Sequence, residues 1–317
     1  MSQPEIYGRS YARVRVGLCQ IRTVPWSIEE NLTSTLAALN EAAERGAQLA
    51  ITPECVLHGY AAEPEKQAHL ARLRVCAEPV DGPSMRRISE VARRRRMAVV
   101  VGFAERGSGD QIHNSAAVFD ATGRLVDCYR KIHCRDFERI EGGGGFTPGS
   151  RFVVCPIRTA EMEFRLGVMI CFDREISETV RCLRSLGAEL IACPLACDTS
   201  SLNVLERYAD NELITRCRAA ENEVFIAVVN HAARFNGGSF AVGPRGETLV
   251  QLGIEQDVQI VELPLGGVRA AYHGKPLGWM GWGYRRPAVY ERVPGFAGAE
   301  PALPNDVRNW SVKRSHE

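Results

Sequence analysis

Three apolar, strand-like runs each deliver a chemically capable side chain at their end. Ala-Ile-Thr-Pro-Glu closes on Glu54, Leu-Val-Asp-Cys-Tyr-Arg-Lys on Lys131, and Leu-Gly-Val-Met-Ile-Cys on Cys171. A carboxylate, an ammonium and a thiol are the parts of a hydrolase that works through a thioester. The thiol attacks an electrophilic carbon, the carboxylate moves the proton, and the cation meets the charge that develops. Strand ends suit the task, because ligands of open α/β sheets bind beyond the carboxyl ends of the strands.

Cys171 is one of eleven cysteines, and its context separates it from the others. It ends an apolar run just before Phe172-Asp173-Arg174-Glu175, where a helix is expected to start. A strand-to-helix turn exposes a nucleophile and sets it near backbone N–H groups, conditions that favour the thiolate. Glu54 is the candidate base if partial desolvation moves its pKa toward neutrality. His58, His133 and His231 stay open as bases brought close by the fold. Lys131 is the candidate oxyanion stabiliser, with the Phe172 N–H as a second donor.

These residues need a frame. Strands are expected at residues 14–20, 48–53, 97–103, 115–120, 124–130, 164–170, 190–194, 224–230, 239–242, 248–252 and 257–263. Helices are expected at residues 26–45, with Ser27 as N-cap and Gly46 as the stop, and at 84–95, 178–186 and 202–221. The order strand, helix, strand, helix, strand, hairpin is nearly repeated, which suggests two similar halves. Each would be a mixed sheet with helices on one side, and packing them face to face gives a four-layer α-β-β-α sandwich. No linker separates the halves, so residues 13–265 read as one domain, after a polar lead-in at 1–12. The tail at 266–317 carries Trp279, Trp282, Tyr284 and Tyr290 and is expected to pack on the domain or on a neighbouring subunit.

The bulk composition fits a soluble globular enzyme, with 45% hydrophobic and 24% charged residues. A net charge of +1 gives no reason to expect a nucleic acid or an acidic membrane as partner. The basic run Arg93 to Arg96 reads as a solvated helix end. No apolar stretch approaches the ~18 residues of a membrane span. The N-terminus shows no basic-then-apolar signal, and an odd number of cysteines inside apolar runs suits a reducing compartment, so a cytoplasmic location is expected. Cys128, His133 and Cys134 lack the spacing of a zinc site.

In Thr-Pro-Glu54-Cys, Tyr-Arg-Lys131-Ile-His and Val-Met-Ile-Cys171-Phe-Asp-Arg-Glu, the three candidates resemble the Glu-Lys-Cys triad of the nitrilase superfamily of carbon–nitrogen hydrolases. The similarity runs from about Val14 to Tyr290. It includes Asn114-Ser115-Ala116, Phe146-Thr147-Pro148-Gly149, Arg218-Ala-Ala-Glu221-Asn222 and Arg285-Arg286-Pro287. The resemblance implies the α-β-β-α fold, a homodimer or larger homo-oligomer, no metal and no organic cofactor. It makes Glu54 the base, Lys131 the support of the tetrahedral intermediate and Cys171 the acylated residue. It also implies a second glutamate before the Phe-x-Pro-Gly patch, for which Glu141 is the candidate and Glu138 the rival. The run Gly142 to Gly145 is about one residue longer than usual. It reads either as a mobile loop over the pocket or as a plain surface loop.

Phe172-Asp173 after the nucleophile resembles the amidase and carbamoyl-amidase branches more than true nitrilases. Arg174 lies where carbamoyl-amino-acid amidohydrolases hold a substrate carboxylate. It could equally pair with Glu175 or Glu178. Tyr60, after Glu54, either lines the pocket or packs within its loop. A cationic substrate met by Glu175 or Asp198 is also open. The expected activity is hydrolysis of a non-peptide C–N bond in a small amide or N-carbamoyl compound. The alternatives are a nitrilase acting on a small nitrile and an acyltransferase using the same thioester.

Overall fold

The computed structural model describes residues 11–197, 211–272 and 282–292. Most of the expected lead-in, Asp198, the first turns of the helix expected from 202, and Trp279 lie outside the described residues.

The first half of the chain supplies β1 (Val14–Gln20), β2 (Leu49–Ile51), β3 (Ala98–Arg106), β4 (Ile112–Phe119) and β5 (Leu125–Arg130). The second supplies β6 (Val153–Arg158), β7 (Glu163–Val168), β8 (Leu190–Pro194), β9 (Phe225–Val229), β10 (Phe240–Val242), β11 (Thr248–Gln251) and β12 (Asp257–Leu263). Two six-stranded sheets form, in the orders β12-β1-β2-β3-β4-β5 and β11-β10-β9-β8-β7-β6. In each, three parallel strands sit at the centre and antiparallel strands flank them. The halves are related as expected, with one exchange: β12 leaves the second half and pairs antiparallel with β1, in the place that β6 takes beside β7.

Burial follows from this arrangement. β8 and β9 are parallel strands covered on both faces, and every residue of each is buried. β7 alternates at its start, with Phe164 and Leu166 inward and Glu163 and Arg165 outward. Helix α1 (Ile28–Glu44) turns Leu32, Thr35, Leu39 and Ala42 to the first sheet. There they meet Met85, Ile88, Val91 and Ala92, or the strands beneath them. Met85 to Ala92 belong to α3 (Pro83–Arg95), after α2 (Lys66–Cys76). α4 (Ser177–Ser185) and α5 (Asn211–Asn222) serve the second sheet. Ser27 occupies the N-cap of α1 but makes no side-chain cap; its hydroxyl donates to Glu30 instead.

β6, α2 and two C-terminal helices, Leu265–Tyr272 and Pro287–Tyr290, fall outside the expected pattern. β6 carries Pro156, which argues against a strand in a sheet interior, but β6 is an edge strand, where a missing N–H is tolerated. α2 buries only His69 and Leu73, too few for a readable periodicity. In the tail, Arg269 pairs with Glu189, and the Arg184 guanidinium lies 5.5 Å over the Trp282 ring. Among the described residues no helix is long and apolar enough to cross a membrane.

Candidate active site

Glu54 follows β2 by three residues and is fully buried. Its loop crosses β3 at Gly102, where a Cβ would meet the Pro53 carbonyl and come within 2.9 Å of Glu54 Cα, so only glycine permits the crossing. The Glu54 N–H donates to the Leu195 carbonyl just past β8, at 3.3 Å, which ties the two sheets together at their ends.

Lys131 continues β5, and its N–H donates to the Asn114 carbonyl at 2.8 Å. Its buried ammonium donates to Glu54 Oε1 at 2.8 Å and to Glu138 Oε1 at 2.7 Å. Asn114 Nδ2 donates to the same Glu54 oxygen at 2.6 Å and approaches Glu138 Oε1 at 3.3 Å. The Tyr60 hydroxyl donates to Glu138 Oε1 at 2.8 Å.

The second carboxylate of the cluster is therefore Glu138, and the expectation of Glu141 is corrected. A short 3-10 turn at Asp136–Glu138 directs Glu138 inward, where its Oε2 also accepts the Arg135 N–H at 2.7 Å. Glu141 lies beyond that turn on the surface. The glycine run that follows lies against this turn. A Cβ on Gly142 would overlap the Asp136 carbonyl, and one on Gly144 would overlap the Phe137 carbonyl and Glu138 Cα. The run is a close-packed support for Glu138, not an open surface loop.

Cys171 opens a five-residue 3-10 turn, Cys171–Glu175, with a positive φ of 49°, a conformation that costs a residue with a Cβ on the order of 1 kcal/mol. Buried partners hold that turn. Asp173 accepts the Ile170 N–H at 2.9 Å, the Tyr129 hydroxyl at 2.7 Å and the His133 N–H at 3.0 Å. Arg218 donates to the carbonyls of Arg174 and Glu175 at 3.1 and 3.0 Å. Cys171 Sγ lies 4.0 Å from the Ala196 carbonyl, next in the chain to the Leu195 that holds Glu54.

The helix start expected to favour a thiolate does not lie at Cys171. α4 begins only at Ser177, so Cys171 has no α-helix N-terminus behind it. Burial pushes its thiol well above the usual value and Glu54 adds to the shift, while Lys131 and Arg174 pull against it. Burial likewise raises the Glu54 pKa, opposed by Lys131 and reinforced by Glu138. Burial disfavours the Lys131 charge, but Glu54, Cys171 and Glu138 outweigh it and hold the ammonium well above its ordinary pKa. Two carboxylates around one ammonium leave a net negative charge, which favours keeping a proton in the cluster.

Arg174 is fully buried, and its Nη1 donates to the Cys171 carbonyl at 2.9 Å, so it braces the nucleophile's backbone; Glu175 stands 3.9 Å from its Nη2. Phe172 is half-buried beneath the Arg135 guanidinium, which lies 4.8 Å from its ring. His58 and His231 are buried, with pKa values pushed down to about 3 by burial, and His133 Nδ1 faces Asp173 at 2.8 Å. Cys128 turns toward Glu105, Cys134 toward the Lys131 carbonyl and His133 toward Asp173, so they do not converge on a metal. Asn114 and Asp173 were not singled out as individual site residues. Asn114 lies in a polar His113-Asn114-Ser115 run that is buried within β4.

The family model described as "Carbon-nitrogen hydrolase" matches residues 15–273. An (R)-stereoselective amidase from a Pseudomonas species is 31% identical over 264 residues, covering 81% of this chain and 88% of the relative. An omega-amidase from Xenopus tropicalis is 28% identical over 267 residues, covering 80% and 90%. Among solved structures, a mutant amidase from Nesterenkonia sp. AN1 with the acetamide moiety of fluoroacetamide covalently added at its active-site cysteine aligns with a TM-score of 0.68. It is 25% identical and covers 89% of this chain and 97% of that one. A second mutant of that amidase, placed in the nitrilase superfamily, aligns with a TM-score of 0.66 at 26% identity, covering 85% and 98%.

Proposed function

The chain belongs to the carbon–nitrogen hydrolase family, and from that premise we propose that it hydrolyses a small amide through a thioester on Cys171. The observation that carries the reading is the state of Glu54. One carboxylate oxygen is fixed by Lys131 and Asn114, while the other, Oε2, is buried with no hydrogen-bond partner among the described residues. A buried, unpaired carboxylate oxygen is costly to keep, and a base awaiting a proton accounts for it.

In the proposed cycle Glu54 takes the Cys171 proton as sulfur attacks the carbonyl carbon. The oxyanion is met by the Lys131 ammonium and the Phe172 N–H. The C–N bond breaks, and the leaving nitrogen takes the proton from Glu54 and departs as ammonia or an amine. Glu54 then removes a proton from water, whose oxygen attacks the thioester. The acid is released, and the sulfur regains its proton. Burial raises the pKa of the thiol, and the proposed cycle accordingly joins proton transfer and attack in one step. Glu138 and Asn114 hold Lys131 and Glu54 in register, and Tyr60 donates to Glu138.

An amide is favoured over an N-carbamoyl amino acid because the similar proteins are amidases. Arg174, the residue that would hold a carboxylate, is fully buried with Nη1 on the Cys171 carbonyl and with Nε and Nη2 lacking a hydrogen-bond partner among the described residues. A panel of primary amides, N-carbamoyl compounds and nitriles, read by ammonia and carbon dioxide, tests this. Ammonia from amides without carbon dioxide is expected. Carbon dioxide from the carbamoyl compounds, turnover of nitriles alone, or product only when an acceptor amine is supplied would each replace the reading.

A further inference from the structure

His231 is fully buried just past the end of β9, and both ring nitrogens are engaged. Nε2 lies 2.7 Å from the Glu54 carbonyl oxygen, and Nδ1 lies 2.9 Å from Thr23 Oγ1. A carbonyl only accepts, so Nε2 carries the hydrogen. Nδ1 is then a lone pair, and the Thr23 hydroxyl donates to it. The contacts fix one neutral tautomer. They also join three chain segments: Thr23 follows β1 and Glu54 follows β2, both in the first sheet, while His231 follows β9 in the second.

The bond falls on the peptide that leads out of the base, at the start of a left-handed turn. The Glu54 carbonyl belongs to the peptide that leads into Cys55, whose φ is 47°. That left-handed turn follows the base directly, and the Val56 N–H then returns to the Gly102 carbonyl of β3 at 3.0 Å, so the His231 bond supports the strained peptide between them. On the adjoining residue, Asn230 brackets Cys197, accepting its N–H at 3.2 Å and donating to its carbonyl at 2.9 Å. Cys197 follows the Ala196 whose carbonyl faces the nucleophile. Neighbouring residues at one strand end thus hold the segment behind the base and the segment facing the thiol.

We propose that His231 is a positioning residue that fixes the Glu54 peptide, and with it the angle at which the carboxylate meets the Cys171 thiol. The proposal rests on Glu54 being the base. It assigns the ring no proton transfer, and so differs from a Cys-His design.

The test is steady-state kinetics of His231→Phe and His231→Gln on the primary amide that the wild type turns over fastest. Phe keeps the ring and removes both hydrogen bonds; Gln returns an N–H near the Nε2 position. A displaced base can cost about 100-fold, so His231→Phe is expected to lower kcat at least tenfold with KM within about threefold, and His231→Gln to recover most of it. Unchanged kcat in His231→Phe, or a Gln variant as impaired as the Phe variant, overturns the proposal. If His231→Phe does not fold, His231→Asn replaces it, since its amide reaches the Nδ1 position only; parity of Asn with Gln is then the overturning result. Glu54→Gln is measured alongside. If it stays active, the assignment of the base fails; if it is inactive while His231→Phe is not, only this proposal fails.

Discussion

Lys131 Nζ lies 2.7 Å from Glu138 Oε1, as close as it lies to the proposed base. Glu138 therefore aims the ammonium as much as Glu54 does, while the neighbouring Glu141 stands outside on the surface. Glu138→Gln keeps the shape but removes the charge that holds Lys131, and loss of a well-aimed oxyanion donor costs about 10²-fold or more in kcat. Glu138→Gln is expected to approach that loss, with Glu141→Gln within about twofold of wild type. Equal effects in the two kinetic measurements would remove Glu138 from the site.

That contrast marks where the sequence was readable. Glu54, Lys131 and Cys171 each stand at or just past the end of a strand-like run, three residues after β2, directly after β5 and three residues after β7. Glu138 and Glu141 lie in one polar stretch with no strand end between them. Which of them turns inward depends on a 3-10 turn and on contacts with Gly142 and Gly144 that no periodicity encodes. For Arg174 a substrate carboxylate and a pairing with Glu175 or Glu178 were both open from the sequence, and the structure buries it with Nη1 on the Cys171 carbonyl and Nη2 3.9 Å from Glu175. The thiol's raised pKa depends on burial between two sheets, which the helix start after Cys171 could not reveal. β12 was legible as a strand, but its move to the first sheet is a matter of long-range pairing.

The pH dependence follows from the directions of the shifts. In the proposed cycle the free enzyme acts with Glu54 ionised and Cys171 protonated. The Glu54 pKa is raised, chiefly by burial, so activity is present above that pKa and lost as pH falls through it. The midpoint of the acid limb of kcat/KM is expected above the ordinary glutamate value of about 4.3. Cys171 and Lys131 are both held above their usual values, so a plateau should extend through neutral pH into the alkaline range. A falling limb with a midpoint near the ordinary thiol value of about 8.5 or below would contradict the concerted proton transfer.

Cys171→Ala should reduce turnover to background while leaving the fold in place. The thiol is 8% exposed and makes a single long contact, to the Ala196 carbonyl. Removing one small buried group costs about 1 kcal/mol, a modest change in denaturant midpoint. The turn is held through Asp173, Arg174 and Arg218, none of which needs the sulfur. An active alanine variant with an intact denaturation curve would end the thioester mechanism.

The glycine run offers a test that separates packing from catalysis. Gly144 has no room for a Cβ against Phe137 and Glu138, whereas a Cβ on Gly253 would meet nothing within 4 Å. Overpacking a rigid contact costs about 1–3 kcal/mol, while a substitution into open space stays within about 0.5 kcal/mol. Gly144→Ala is therefore expected to destabilise in denaturant titrations, and Gly253→Ala to be neutral. Because the overlap is with the backbone of Glu138, the loss at Gly144 should extend to kcat, as relief of the clash moves the carboxylate that holds Lys131. A destabilised Gly144→Ala enzyme that keeps full kcat under folded conditions would show that the run supports the fold and not the position of Glu138.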